Sequence, residues 1–543
     1  MESQIDRKLI FSDPRRNTKQ ILLEQIPILL ILLLATGLRL YQLSTESVWI
    51  DEMLSIRDAK SFEFTLPYVR PFYYMILKGW MQFGDSDAWL RGLSIIFGLG
   101  SIYFTYWLGY RIVGKSTGLI AAFMASVSPL FINHAQEIRM YTVITCLSVA
   151  GTLALSYFLE QPSYKALAGW VIARIFLILT NANNILILVA DLVLLGWKFR
   201  KQPQGLLRAA GGLSIIGLFF LPIFWALTIG GGADEFMEKQ VADYSKPGVT
   251  QIIGMLTQFT VYWPLRNLLE SNQIILNKNQ LTDATLLSQL LSVKTFSLLF
   301  YAGLTAVLVV LLVISLLNIF FSKHPSERLI WLAAWGIIPA SLMLFVSYYK
   351  NSIWFPRYLL LVAPYFLILI AAGFVVIWNW KKPLAIAIAI AYCLGVTGSL
   401  FDYYTKLYRN DWQGAAQYIY QNQQPNDLIV MHSTPDFFPL SLSRYYPDPS
   451  KVHLLNHPGS QDKLTPDYIK QQFDRTLPLK SNLWFVCWLF CKETEGMNRV
   501  FTTVAGQQFR VEQEKTFSSL EFQPIQVFKV TPAVPTTKST TSQ

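Results

Sequence analysis

The first residues in this chain that could do chemistry are two adjacent acids, Asp51 and Glu52, in the stretch VWIDEMLS (48–55). They follow the first long apolar segment, and apolar residues flank them on both sides. A carboxylate can take a proton from a hydroxyl group while that hydroxyl attacks an electrophile. Acids are also favoured in the first turn of a helix by its dipole, so a simple helix start is the alternative interpretation.

Other ionisable residues recur beside apolar segments, namely Arg70 in YVRPFYYM, Glu137 and Arg139 in HAQEIRMYT, and Arg357 in WFPRYLLL. Charges at membrane depth are costly, which favours a functional role. Arginines can hold a phosphate and stabilise its charge as it leaves. Together with a general base, they predict sugar transfer from a lipid phosphate to an acceptor outside the cytoplasm.

Each of these residues also has a structural interpretation. Glu137 and Arg139 could belong to a structural ion pair, although residues two apart on a helix do not face each other, so each needs another partner. Arg70 and Arg357 could extend towards the lipid headgroups. Tyr73 and Tyr141 could bind substrate or belong to an interfacial aromatic belt. We interpret His134 as a hydrogen-bonded loop residue, because no cluster has metal-ligand spacing.

The composition predicts a polytopic membrane protein. Of 543 residues, 53% are hydrophobic and 15% charged, with a mean hydropathy of +0.36, whereas a soluble domain carries about 25% charged residues. The net charge of +11 does not indicate nucleic acid, because the basic residues cluster in short loops between apolar runs, as the positive-inside rule requires. No nucleotide-binding motif is present.

We expect about eleven transmembrane helices, since a span needs about 20 apolar residues. The first run should stay as an anchor because no signal-peptide cleavage site follows it. The basic loops then share the cytoplasmic side, and the odd count puts the C-terminal part outside. The expected spans are 22–43, 91–112, 116–133, 140–158, 166–181, 184–197, 209–229, 297–321, 329–348, 358–379 and 384–402.

The domain organisation follows from this pattern. We expect a cytoplasmic segment at 1–20, a transmembrane catalytic domain at 21–403, a small extracytoplasmic α/β domain at 404–532 and a disordered tail at 533–543. Outer loops are expected at about 44–90 and 230–296. In the α/β domain, DWQGAAQYIYQNQ predicts a helix capped by Asn410 or Asp411, and DLIVMHS, NLWFVCWLF and QVFKVT predict strands. Cys487 and Cys491 could pair if their segment is helical, whereas on a strand they would lie about 13 Å apart, too far for a bond.

At these residues the chain resembles the GT-C class of membrane glycosyltransferases, in the family 39-like branch of protein O-mannosyltransferases and lipid A aminoarabinose transferases. The matching pieces are WIDE (49–52), RPFYYMILKGWMQFGDSDAWLRGLS (70–94), SPLFINHAQEIRMYT (128–142), FPRYLLLVAP (355–364) and DWQGAAQYI (411–419). The motifs DE, QExRxY and PRY, in that order, carry the resemblance, which covers the first half of the membrane region well and the second half thinly.

The resemblance implies an inverting transfer from a polyprenyl-phosphate sugar to a glycolipid, polysaccharide or protein. It makes Asp51 the general base, with Glu52 binding acceptor or orienting the loop. Arg70, Arg139 and Arg357 would contact the donor phosphate, and Glu137, Tyr73 and Tyr141 are the substrate-binding candidates.

Two departures from the family pattern stand out: Phe72 replaces a second proline after Arg70, and Val69 replaces the acid of the aminoarabinose transferases. We assign no metal ligands, but some GT-C relatives use a divalent cation, so the resemblance leaves a divalent cation possible. A bacterial plasma membrane is expected.

Three alternatives remain at this stage. The closest is an oligosaccharide transferase that uses a lipid pyrophosphate, which would call for an acidic metal site. A lipid-linked sugar transporter would place charges at mid-membrane in repeated halves. A non-catalytic scaffold would be indifferent to the loss of Asp51.

Overall fold

The computed structural model describes residues 18–63, 70–229, 246–261, 293–321, 326–349, 353–433, 439–456, 482–488, 509–519 and 524–532. By their internal contacts, the residues divide into two compact units. One consists of Met1–Tyr41 and Phe62–Tyr403, and the other of Gln42–Ser61 and Tyr404–Gln543. We call them the membrane unit and the second unit, and each is described by itself.

The membrane unit is helical throughout its described residues. Its helices are α1 (Thr18–Leu40), α3 (Pro71–Met81), α4 (Asp87–Ile112), α5 (Lys115–Val127), α6 (Pro129–Ala135), α7 (Tyr141–Glu160), α8 (Tyr164–Thr180), α9 (Leu186–Phe199), α10 (Pro203–Ile229), α11 (Val249–Val261), α12 (Val293–Phe321), α13 (Glu327–Tyr349), α14 (Pro356–Leu359), α15 (Ala363–Trp380) and α16 (Lys382–Thr405). Helix α2 (Ile50–Lys60) belongs to the second unit.

The described residues contain nine helices that are long and apolar enough to cross a membrane, or ten if the bent pair α5–α6 counts as one span. Helix α8 has 17 residues and, with these ten, accounts for the eleven segments predicted. The bend of 61° between α5 and α6 falls at Ser128-Pro129, where proline has no N–H to continue the helical ladder. The chain is therefore a multi-pass membrane protein.

Helix packing in this unit depends locally on glycine. A Cβ atom at Gly118 of α5 would collide with the backbone oxygen of Tyr106 in α4. Only a residue without a side chain lets the two backbones approach this closely. The close approach brings α5 and α4 together beside α7, the helix that begins at the HAQEIRMYT motif.

At the C-terminal end of α7, ion pairs connect the ends of neighbouring helices. Arg111 of α4 donates from Nη2 to Glu160 Oε2 at 2.7 Å, and Arg328 at the start of α13 donates from Nε to the other Glu160 oxygen at 2.5 Å. Lys198 of α9 pairs with Glu327 of α13 at 2.8 Å. Helix α7 rises about 30 Å over its 20 residues, so this cluster and the motif at Tyr141 lie at opposite ends of the bundle.

The second unit contains a five-stranded sheet with the order β2-β1-β3-β5-β4. Strand β1 is parallel to β2 and β3, whereas β5 is antiparallel to β3 and β4. Its elements after α2 are α17 (Trp412–Asn422), β1 (Leu428–Ser433), α18 (Pro439–Tyr445), β2 (Val452–Asn456), β3 (Leu483–Cys487), β4 (Phe509–Phe517) and β5 (Ile525–Pro532).

The apolar core of this unit packs α17 against the central strands. Trp412 and Ile419 of α17, Ile429 of β1 and Trp484 of β3 are buried together, and Ile50 of α2 packs against the same core. The Asp411 side chain accepts a hydrogen bond from the Gly414 N–H at 2.8 Å, which confirms it as the cap of α17. The three strands predicted from the sequence correspond to β1, β3 and β5.

Three features differ from the expectations. The outer loop that begins at 44 was assigned to the transmembrane domain, but its first part, Gln42–Ser61, belongs by its contacts to the second unit. Helix α11 (Val249–Val261) lies within the expected loop at 230–296, and strands β2 and β4 were not predicted. The tail at 533–543 and most of the segment 1–20 lie outside the described residues.

Candidate functional site

The turn between α6 and α7 carries the QExR residues, and its side chains are buried. Glu137 is 4% exposed and His134 is 6% exposed. His134 Nδ1 lies 2.8 Å from Glu137 Oε2, and Asn133 Nδ2 donates to Glu137 Oε1 at 3.2 Å. Glu137 therefore bonds to residues one turn earlier in the chain. We expected such partners, because residues two apart on a helix, such as Glu137 and Arg139, do not face each other.

The same turn is held from outside by α4, α1 and α16. Ser94 of α4 donates to the carbonyl oxygen of Glu137 at 2.5 Å. The Gln136 amide donates to the carbonyl oxygens of Arg39 and Tyr41 at 3.0 and 2.9 Å, and accepts from the Tyr403 hydroxyl at 2.7 Å. Because the turn is anchored on three helices, the residues it presents have little freedom to move.

Two arginines and two tyrosines form a connected group next to this turn. The Arg139 Cζ atom lies 5.7 Å from the ring centre of Tyr141, whose ring lies 6.3 Å from that of Tyr358. The Arg357 Cζ atom lies 5.3 Å from the ring centre of Tyr358. We call these four residues the two-arginine group. It joins the QExRxY motif to the PRY motif, although Tyr141 and Tyr358 are 217 positions apart in the chain.

The group combines positive charge with limited access to solvent. Arg139 and Tyr141 are buried, whereas Arg357 and Tyr358 are half-buried. The His134 ring packs on Tyr141 with ring centres 5.0 Å apart. Guanidinium groups suit phosphate because several N–H donors share one plane. A phosphate reached from the half-buried side is the kind of ligand that this arrangement can hold.

Arg70 and Tyr73 stand on a different element of the membrane unit, helix α3. Arg70 is the N-cap residue of α3 and is half-buried, and Tyr73 lies in its first turn with 1% of its surface exposed. Helix α3 is positioned by its apolar face, where Phe72 stacks on Phe176 of α8 at 4.3 Å.

Asp51 and Glu52 lie in the first turn of α2, in the second unit. The alternative interpretation of this pair, a helix start, is therefore confirmed. Glu52 has no exposed surface, and its Oε2 accepts a hydrogen bond from the Trp49 N–H at 3.2 Å. This is the return half of a capping box, in which the third helical residue satisfies a free donor at the N-cap. Asp51 is half-buried.

Glu52 is held by groups far from it in the sequence. Arg409 Nη1 lies 3.5 Å from Glu52 Oε2, and Arg409 Nε lies 3.4 Å from Glu46 Oε2. The Tyr408 N–H donates to Glu46 Oε1 at 2.7 Å. Arg409 lies two residues before the recognised DWQGAAQYI stretch. Nothing in its local sequence pattern indicates a partner more than 350 residues earlier.

A second missed group lies within the membrane unit. Arg174 of α8 and Asp191 of α9 form an ion pair at 2.8 Å with no exposed side-chain surface. Trp170 and Trp335 donate to the Asp191 carboxylate at 2.8 and 2.9 Å, and Arg174 also donates to Thr152 at 2.8 Å. The sequence signal for this pair is one charged residue inside each of two predicted spans. It was missed because only charges at helix ends were considered.

No group of three or more His, Cys, Asp or Glu residues suited to a metal ion occurs among the residues that the structure describes. Cys487 is disulfide-bonded, and β3 ends at this residue. Cys491, the partner considered from the sequence, lies outside the described ranges. Cys146 and Cys393, both in the membrane unit, are free thiols.

Comparisons with known proteins identify the fold. No family model matches the chain. No curated protein matches it either. Among solved structures, the chain is similar to ArnT from Cupriavidus metallidurans bound to undecaprenyl phosphate, at 12% identity and a TM-score of 0.52, covering 94% of this chain and 98% of that one.

The apo state of the same ArnT gives a TM-score of 0.51 at 12% identity, over 94% of this chain and 98% of that one. The oligosaccharyltransferase of Archaeoglobus fulgidus in its apo form gives 0.50 at 13% identity, covering 89% of this chain and 71% of that one. Both proteins are membrane glycosyltransferases of the GT-C class, as the motifs had led us to expect. This chain has the GT-C fold.

Proposed function

We propose that this protein is an integral membrane glycosyltransferase that moves a sugar from a polyprenyl-phosphate donor to an extracytoplasmic acceptor. The observation that carries the proposal is the two-arginine group, in which Arg139 and Arg357 flank the Tyr141–Tyr358 pair. It occurs in a chain whose fold is also that of an ArnT bound to undecaprenyl phosphate.

The reaction we propose is an inverting displacement. The acceptor hydroxyl oxygen bonds to the anomeric carbon while the bond from that carbon to the phosphate oxygen breaks. The hydroxyl proton goes to the Asp51 carboxylate, and the polyprenyl phosphate leaves with the electron pair. The transition state resembles an oxocarbenium ion, as in other glycosyl chemistry.

The roles follow from burial and charge. Asp51 is half-buried, whereas Glu52 is buried beside Arg409, so we assign proton transfer to Asp51 and orientation of the helix start to Glu52. Arg139 and Arg357 bind the donor phosphate, since charge-assisted hydrogen bonds to phosphate are the strong ones. Glu137, Tyr141 and Tyr73 are proposed to bind substrate, and Arg70 is proposed to contact the donor phosphate from α3.

The proposal places the second unit outside the cytoplasm of a plasma membrane. Two observations support this orientation. The basic loop residues favour the opposite side as cytoplasmic, and Cys487 of the second unit is disulfide-bonded. Disulfides persist in oxidising compartments and are rare in the cytosol.

A second candidate function is oligosaccharide transfer from a lipid pyrophosphate. It is favoured by the likeness to the Archaeoglobus fulgidus oligosaccharyltransferase. A sugar transporter, the third candidate, would move the lipid-linked sugar without breaking its phosphate bond.

The test is sugar transfer by the purified protein in liposomes. Radiolabelled polyprenyl-monophosphate sugars and lipid-pyrophosphate oligosaccharides are offered in parallel, with membrane extract as the acceptor. We expect label from one monophosphate donor to enter the acceptor fraction. Transfer from the pyrophosphate donors alone would favour the second candidate. Binding of donor with no transfer in any arm would overturn the enzyme proposal.

A further inference from the structure

The start of helix α2 depends on a charge cluster that joins Glu52 of the WIDE motif to two residues outside the recognised motifs. The cluster consists of Glu46, Glu52 and Arg409, which lie within the second unit. The exposed fractions of their side chains are 19%, 0% and 4%, respectively. An ionised carboxylate without access to water requires a charged or hydrogen-bonded partner. Arg409 supplies that partner to Glu52.

The position of Arg409 is fixed by its own neighbours. The backbone N–H groups of Tyr408 and Arg409 donate to Glu46 Oε1 at 2.7 and 3.4 Å, and the Arg409 side chain faces the other oxygen of Glu46. The next residues enter α17, whose Gln413 N–H donates to the Ser47 hydroxyl at 2.9 Å. The segments 46–49 and 408–413 are thus joined at several points.

One carboxylate, that of Glu52, links Arg409 to the start of α2. Glu52 Oε2 faces Arg409 and also accepts the hydrogen bond from the Trp49 N–H. That bond closes the turn in which Asp51 lies. Loss of the Arg409 charge would leave two carboxylates in a poorly hydrated place, where at least one would protonate or turn towards water. In either case the Glu52 cap would weaken.

We infer that Arg409 is a positioning residue for the proposed transfer, acting through Glu52 on the direction in which Asp51 points. This inference rests on the proposed function, with Asp51 as the general base. Arg409 is only 5% exposed, so it acts on the geometry of α2 and not on the substrate. A displacement of about 1 Å at a reacting group can reduce a rate about a hundredfold.

The experiment compares Arg409→Met, Arg409→Lys and Glu52→Gln with the wild type. The control is Lys529→Met, which removes the ion pair between Lys529 and Glu512 on β5 and β4 of the same unit. Arg409→Met should lower kcat about tenfold to a hundredfold with the donor KM unchanged. Arg409→Lys should recover part of that loss, and the control should retain the wild-type kcat.

A double variant separates positioning from general stability. If Arg409 acts through Glu52, combining Arg409→Met with Glu52→Gln should lower kcat no further than one change alone, because coupled residues are not additive. Fully additive losses, or a wild-type kcat in Arg409→Met, would overturn the inference. So would a Lys529→Met variant as slow as Arg409→Met, since the loss would then reflect any weakening of the second unit.

A measurement that needs no activity distinguishes this inference from the proposed function. Amide hydrogen exchange of the peptide 48–56 should become faster in Arg409→Met and not in Lys529→Met. Unchanged exchange would overturn the link from Arg409 to α2. If exchange changes as expected but the wild type transfers no sugar from any donor, the proposed function fails while the link to α2 stands.

Discussion

His134 and Glu137 are joined by a hydrogen bond of 2.8 Å between Nδ1 and Oε2 at the turn where α6 ends and α7 begins. Both side chains are more than nine-tenths buried. The bond fixes the turn from which Arg139 and Tyr141 extend. His134 is hydrogen-bonded, as the structural interpretation expected, but it lies in the last turn of α6 and not in a loop. Its partner is a residue of the recognised motif.

Loss of this bond should destabilise the membrane unit. Glu137→Leu leaves His134 and Asn133 without their carboxylate partner, and burying unsatisfied polar groups costs about 1–3 kcal/mol. We expect a lower unfolding temperature in detergent, measured by the exposure of the buried Cys146 thiol on heating. Glu63→Leu is the control, because Glu63 is exposed. Equal unfolding temperatures for the two variants would contradict the prediction.

The two-arginine group should determine donor affinity. Arg357→Gln removes a guanidinium group without removing the aromatic rings beside it. A charge-assisted hydrogen bond contributes about 1.5–3 kcal/mol, so the donor KM should rise about tenfold to a hundredfold. Arg139→Gln should act in the same direction, and Arg357→Lys should be milder because it keeps the charge.

The matched control for these variants is Arg208→Gln. Like Arg357, Arg208 lies close to a tyrosine ring, that of Tyr164 at 4.8 Å, and it donates to the carbonyl oxygen of Pro162. It is part of α10, outside the two-arginine group. An unchanged donor KM in Arg357→Gln, or an equal rise in Arg208→Gln, would refute the phosphate-binding role.

The buried pair of Arg174 and Asp191 should be essential to the bundle. Asp191→Leu leaves a guanidinium group without its carboxylate, and breaking a buried pair in this way costs about 3–5 kcal/mol. The double variant Arg174→Met with Asp191→Leu removes both charges and should regain part of that loss. Unfolding in graded denaturant measures the difference. A double variant less stable than Asp191→Leu alone would contradict the account.

The compartment of the second unit can be tested with thiol chemistry. Cys487 is disulfide-bonded, so its disulfide should yield a thiol reactive towards a membrane-impermeant maleimide only after reduction, and on intact cells. Cys487→Ser leaves the partner sulfur as a free thiol, so this variant should be labelled without reduction and identifies the labelling that comes from the disulfide. Labelling that appears only after the membrane is permeabilised would place the second unit on the cytoplasmic side.

Sequence reasoning predicts the elements whose signal is local. Long apolar runs correspond to the spanning helices, Asp411 caps α17, and β1, β3 and β5 are apolar because they lie inside the sheet. Strand β4 was missed because it is an edge strand, and its sequence FRVEQEKTF carries charges that protect an edge from pairing.

The features that sequence reasoning missed depend on distant contacts. Segment 42–61 belongs to the second unit because Glu46, Ser47 and Glu52 bond to residues more than 350 positions later. The pairing of Arg174 with Asp191 requires α8 and α9 to meet at one depth. A single sequence does not show which distant residues are in contact. The motifs nevertheless located the two arginines that the structure places around one tyrosine pair.

The measurement that tests the central claim most directly is sugar transfer by Asp51→Asn beside Asp58→Asn. Both aspartates lie on α2, and Asp58 pairs with Arg57 on the surface at 2.9 Å. General-base catalysis contributes about 10²–10⁴-fold. The account therefore predicts a loss of that size in kcat for Asp51→Asn, with donor binding retained and Asp58→Asn near the wild type. Equal transfer by Asp51→Asn and the wild type would contradict the assignment of Asp51 as the base.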